Sequence, residues 1–127
     1  RQMATRKRTA LLLGGMTLAL LEHRDQLALL EDEPTLIVNA IEEGLRYCSP
    51  VQGVYRRAMR EVAIAGVTIP AQSDIVVLLA AANHDDSKFA APERFDVRRH
   101  TGGHAGFGMG IHHCLGAHLG RLEARVA

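Results

Sequence analysis

The chain has 127 residues, of which 47% are hydrophobic and 23% charged, with a formal net charge of +1. That length suits one small domain, and the near-neutral balance argues against a nucleic-acid partner. Two cysteines are too few for a disulfide framework and fit a reducing cytoplasm.

At the N-terminus, Arg1, Arg6, Lys7 and Arg8 precede an apolar run from Ala10 to Leu21. The combination imitates a secretory leader, but no small-residue cleavage site follows, only Glu22-His-Arg-Asp25. The run is also too short to span a bilayer, so a buried helix and no membrane partner are expected. Residues 10–31 read as helix, bent near the charged Glu22 to Asp25. Pro34 suits a first helical turn, and Ile37, Ala40, Ile41, Leu45 and Cys48 recur at helical spacing until Pro50, giving a helix over 34–48. Two short strands around Gly66 are expected within 61–70. Asp74 to Ala82 is apolar and fits strand or helix. Residues 83–106, with scattered Pro, Gly and charge, read as irregular, and a loop that long in a compact chain is usually functional. Leu115, Leu119, Leu122 and Val126 give a last helix, over 115–127, one apolar face. The fold class is therefore mainly α with a small β part (α+β). The chain does not begin with Met and stops inside a helical pattern, so it reads as part of something larger.

The chemistry is concentrated in Phe107-Gly-Met-Gly-Ile-His-His-Cys-Leu-Gly116. One cysteine, Cys114, lies in a glycine-rich loop that leads into the last helix. A thiolate is a soft, strong ligand, and a helix N-terminus favours it. Flanking glycines, Gly108 and Gly116 among them, let the backbone approach something flat and bulky, and Phe107 offers an aromatic wall. These features point to haem, with Cys114 as the axial ligand to iron. Cys48, by contrast, reads as a small core hydrophobe.

The pattern Phe-Gly-x-Gly-x-His-x-Cys-x-Gly resembles the haem-binding signature of cytochrome P450. Glu43-Gly-Leu-Arg46, alone an ordinary i,i+3 pair, resembles the family's Glu-x-x-Arg motif and stands upstream in the family's order. Ile69-Pro-Ala, Ala82-Asn83-His84-Asp85 and Phe89-Ala-Ala-Pro92-Glu-Arg-Phe95-Asp96 resemble the stretches between the two motifs. The resemblance covers nearly the whole chain but only the C-terminal, haem-binding part of the family. It implies an incomplete P450 fold and haem b held by Cys114. It also implies an ion triad of Glu43, Arg46 and Arg99 that locks the irregular loop. His112 and Arg56 would meet the haem propionates, and Phe107 would shield the thiolate. The implied activity is haem-thiolate monooxygenation of a small organic substrate, with electrons from a partner such as a ferredoxin, in the cytoplasm.

Against the family's Ala-Gly-x-Glu/Asp-Thr oxygen-activating helix, Leu11-Leu-Leu-Gly14-Gly15-Met16-Thr17 looks shortened and lacks the acid; Thr17 is the candidate remnant of the threonine. Gly44 stands where the family has Leu, and Gln72 where it has Gly. The expectation is a fragment inactive alone. The alternatives are a non-catalytic or decayed haem-binding remnant and a small metal-binding domain drawn from His104, His112, His113, Cys114 and His118.

Overall fold

A computed structural model describes residues 2–127, with side chains from residue 7 onward. Arg1 and the side chain of Arg6, both in the basic N-terminal stretch, lie outside the described residues. The described residues form five α-helices: α1 (Gln2–Glu22), α2 (Arg24–Asp32), α3 (Ile37–Tyr47), α4 (Leu79–Asn83) and α5 (Ala117–Val126). Four strands lie between α3 and α4: β1 (Gly53–Arg57), β2 (Val62–Ile64), β3 (Val67–Ile69) and β4 (Asp74–Leu78). The architecture is mainly helical with small sheets. Among the described residues no helix is long and apolar enough to cross a membrane.

The first helix is longer than its apolar pattern. It starts at Gln2 rather than near residue 10. α1 runs without a break for 21 residues. It ends at His23, whose backbone leaves the helical region before α2 begins. Pro34–Leu36 form a 3-10 turn with Pro34 in its first positions, and α3 follows directly.

The strands make two antiparallel pairs. β2 and β3 form a hairpin through Ala65-Gly66, both at positive φ (48° and 80°), the geometry of a type I′ turn. That hairpin is nested inside a second pair, in which β1 and β4 run from Gly53 opposite Leu78 to Arg57 opposite Asp74. The β1–β4 pair carries no period-2 signal, because Tyr55, Arg56 and Arg57 of β1 are all exposed and neither face buries an alternating set. The ambiguous segment after Gln72 turns out to be both things at once: strand to Leu78, then helix.

Two apolar clusters hold the helices. Leu12, Met16, Ile41, Leu45 and Ala124 join α1, α3 and α5, with Cys48 and Phe107 packed at the margin. Ala19, Ala40, Phe95 and Val97 bind the irregular segment to α1 and α3. The last helix departs from its sequence pattern. Leu115, Leu119, Leu122 and Val126 are exposed, and α5 instead buries Ala117 and Ala124. Its small residues let it approach α1 and α3 closely, and the larger stripe is left on the outside.

Met16 explains one unusual residue. A Cβ added at Gly44 would lie 2.5 Å from the Met16 Sδ, so the buried methionine occupies the space that a side chain at 44 would need. We expect Gly44→Ala to cost about 1–3 kcal/mol through overpacking and a second change, Met16→Ala, to recover part of it, as read by denaturant unfolding of the single and double variants. Gln72 sits at φ 66°, in the left-handed region. Replacing it with glycine should raise stability by about 1 kcal/mol, seen as a higher Tm, because a side chain there is strained.

Candidate functional site: a cavity over Cys114

The site rests on an irregular stretch, residues 84–109, that has no ladder of its own to satisfy its backbone. Buried side chains do so instead. Glu43 and Arg46 are fully buried on α3. Arg46 donates from Nε to the Glu43 Oε2 at 2.7 Å and from NH2 to Oε1 at 2.9 Å. Arg99 donates from Nε to the same Oε1 at 3.2 Å, and the Asp96 backbone N–H adds a bond at 3.0 Å. The remaining guanidinium donors of Arg46 reach the carbonyls of Asn83 and Pro92, both at 2.8 Å. Those of Arg99 reach the carbonyls of Ala90, Ala91 and Arg94. Glu43, Arg46 and Arg99 are thus brought together around one carboxylate.

Asn83 extends this scaffold toward the cysteine. Fully buried, it donates to the Ser49 hydroxyl at 2.9 Å and accepts the Ala105 N–H at 2.6 Å. Ser49, at φ 41°, closes α3 by donating to the Arg46 carbonyl. Gln26 and Asn39 hold Val97 from both sides: the Gln26 Oε1 accepts its N–H and Asn39 donates to its carbonyl.

The loop itself is tight. The Phe107 carbonyl accepts the Cys114 N–H at 2.8 Å, and the Cys114 carbonyl accepts from Ala117 at the start of α5. Gly108 has φ 73°, and a Cβ there would lie 3.2 Å from the His112 carbonyl oxygen, so only glycine fits without strain.

A second cluster, invisible to sequence reading, supports the same loop. Glu42 accepts from Arg121 Nε at 2.5 Å and NH2 at 2.8 Å, and contacts His104 Nε2 at 2.9 Å. His104 Nδ1 in turn accepts the Gly106 N–H at 3.1 Å. The Arg121 guanidinium lies over the Phe107 ring, 4.6 Å from its centre. Glu42 therefore ties α3 to α5 and fixes Phe107 from its outer side. Burial alone would raise the Glu42 carboxyl, but the hydrogen bonds and charges of Arg121 and His104 outweigh it and hold the group down at about 2. No local pattern in the sequence marks Glu42, because its partners lie 62 and 79 residues away.

The cavity above the loop, about 510 Å³, brings together Cys114, His112, Phe107, Gly108, Gly116 and Arg56. Both Arg56 and His112 are exposed at its edge, whereas Arg57 turns to the opposite face of β1 and pairs with Asp74 at 2.7 Å. The remaining lining is largely apolar, including Leu45, Val51, Val54, Val77 and Leu79. A Cβ at Gly116 would stand 3.9 Å from Cys114 Sγ, so the thiol is not crowded from that side. One soft ligand, an aromatic shield, Arg56 and His112 at the rim and an apolar lining suit a flat apolar macrocycle with carboxylate arms.

Thr17 does not belong to this set. It is exposed and lies outside the cavity, where α1 instead presents Arg8, Thr9 and Leu12. Thr17 is nine residues from Arg8, about 13 Å along the axis and on the opposite face of the helix. The histidine-rich metal alternative also fails on geometry. Among the described residues no three His, Cys, Asp or Glu side chains gather as a metal-holding group, and His104 is engaged by Glu42. Cys48 is half-buried against the core, and burial, with Glu43 nearby, pushes its thiol up to about 11, so it is inert.

Comparison with known proteins assigns the class. The family model "Cytochrome P450" matches residues 24–127, and the chain belongs to the cytochrome P450 family. It is 49% identical over 116 residues to 6-deoxyerythronolide B hydroxylase of Saccharopolyspora erythraea, covering 91% of this chain and 29% of that protein. It is 48% identical over 126 residues to vitamin D(3) 25-hydroxylase of Pseudonocardia autotrophica, covering 98% of the chain and 31% of that protein. Among solved structures, P450BioI in complex with a hexadec-9Z-enoic acid ligated acyl carrier protein superposes with a TM-score of 0.92 at 45% identity, over 95% of this chain and 32% of that one. The chain thus spans about three tenths of the length of the relatives it matches.

The Glu42 cluster makes a prediction of its own. Its carboxyl is lowered on folding, so its contribution to stability is full above the ordinary value of 4.5 and is lost as pH falls toward about 2. Glu42→Gln should cost about 1–3 kcal/mol at neutral pH. The gap between wild type and variant should narrow across that acid window in denaturant titrations.

Proposed function

We propose that this chain is the C-terminal, haem-binding part of a bacterial-type cytochrome P450 monooxygenase, with Cys114 as the thiolate ligand to iron. The observation that carries the reading is the convergence of Cys114, Phe107, His112 and Arg56 on one apolar cavity although they come from two separate segments. Bound haem would supply oxygen activation, with one oxygen atom inserted into a small organic substrate and two electrons delivered by a donor protein such as a ferredoxin.

The chain's own residues would do the rest. Cys114 would donate electron density to iron, and the glycines around it would let the ring come close. Phe107, pinned by Arg121, would keep water from the sulfur. Arg56 and His112 would bond the carboxylate arms and set the orientation of the ring. Glu43, Arg46 and Arg99 would hold the loop at the distance this requires. The cavity lies open at one side, so this chain alone would bind haem without excluding water and would not turn over. A cytoplasmic setting accords with the free cysteines.

Reconstitution with hemin tests the assignment. The reduced, CO-bound protein should show the red-shifted Soret band of thiolate ligation, and Cys114→Ala should lose that band. Failure of the wild-type chain to take up hemin would refute the proposal. Oxidation of a small substrate by the loaded chain with a surrogate oxygen donor would overturn its inactivity alone; haem uptake without turnover is expected.

A further inference from the structure

Helix α1 puts a cation on the cavity wall where sequence reading sought a hydroxyl. Arg8, Thr9 and Leu12 form the stretch of α1 that borders the same cavity as Cys114. The helix cannot rotate freely to remove them: Leu12 and Met16 are buried in the core, and the Thr9 hydroxyl donates to Glu123 Oε2 of α5 at 2.6 Å. Arg8 itself makes no ion pair and no side-chain hydrogen bond among the described residues, while the carboxylate of Glu123 on α5 accepts from Thr9 next to it in the helix. Arg8 therefore stands at the edge of a cavity whose other lining is mostly aliphatic, with no anion paired to it among the described residues. The second basic group of that kind, Arg56, lies on β1 with His112 beside the cavity and is accounted for by the carboxylate arms of haem.

A planar guanidinium over aliphatic walls is matched by a planar carboxylate on an aliphatic tail, through two parallel charge-assisted hydrogen bonds. We infer that Arg8 selects substrates bearing a carboxylate, with the alkyl portion lying against Leu12 and the valines of β1 and β4. The inference rests on the haem-cavity reading given above and names the substrate class for that cavity.

Calorimetric titration of the full chain, with and without hemin, with octanoate and with 1-octanol separates the possibilities. The wild type should bind octanoate about tenfold more tightly than the alcohol, the effect of a charged hydrogen-bonded pair. Arg8→Leu should abolish that preference and Arg8→Lys should keep part of it, while hemin uptake by both variants stays at the wild-type level. Equal binding of acid and alcohol by the wild type, or a preference that survives in Arg8→Leu, overturns the inference. Loss of hemin affinity in Arg8→Leu also overturns it, by assigning Arg8 to the arms of the cofactor. A carboxylate preference in a chain that takes up no hemin would sustain Arg8 and remove the haem reading instead.

Discussion

A carboxylate with no access to water governs this structure. Glu43 is fully buried, and an ion in that position is tolerable only when its partners stay in place. Two guanidinium groups and a backbone N–H converge on it, and each guanidinium spends its remaining donors on carbonyls of the irregular segment. A segment of about 25 residues without regular structure would otherwise leave many backbone groups unanswered. The charge cluster thus does for this segment what a hydrogen-bond ladder does for a sheet. It also anchors the base of the cysteine loop, which follows the end of that segment.

Helix α3 distributes this constraint in two directions. Successive residues on a helix point about 100° apart. Glu43 consequently turns into the irregular segment while Glu42 turns toward α5 and His104. One carboxylate is wholly buried and fixes the loop from beneath; the other is partly exposed and fixes Phe107 through Arg121. The cavity is defined between these supports, with β1 contributing its far edge. No single element contains the site.

Sequence reading was strong where chemistry is local and weak where partners are distant. Cys114 and its glycines form one short run, and Glu43 and Arg46 lie within one helical turn. Glu42 is joined to His104 and Arg121 across 62 and 79 residues, and nothing near it in the chain announces a partner. The α5 stripe misleads for a different reason: Leu115, Leu119, Leu122 and Val126 have the right spacing for a core face, but the buried residues of α5 are Ala117 and Ala124, whose small size gives little hydrophobic signal. Residues 2–9 were missed as helix because their basic side chains broke the apolar period. Thr17, the candidate remnant of the family's threonine, lies on the side of α1 opposite Arg8 and outside the cavity.

Gly44 and Met16 have a consequence for how this chain relates to its relatives. Met16 of α1 fills the space left by Gly44 on α3, so the two helices carry complementary shapes. Segments are therefore not freely interchangeable. A hybrid that took α3 from a relative with a bulkier residue at 44, and kept α1 from here, would inherit a collision; the reverse hybrid would inherit a hole. The two helices form a single heritable unit, and recombination within the family would succeed at boundaries that keep them together.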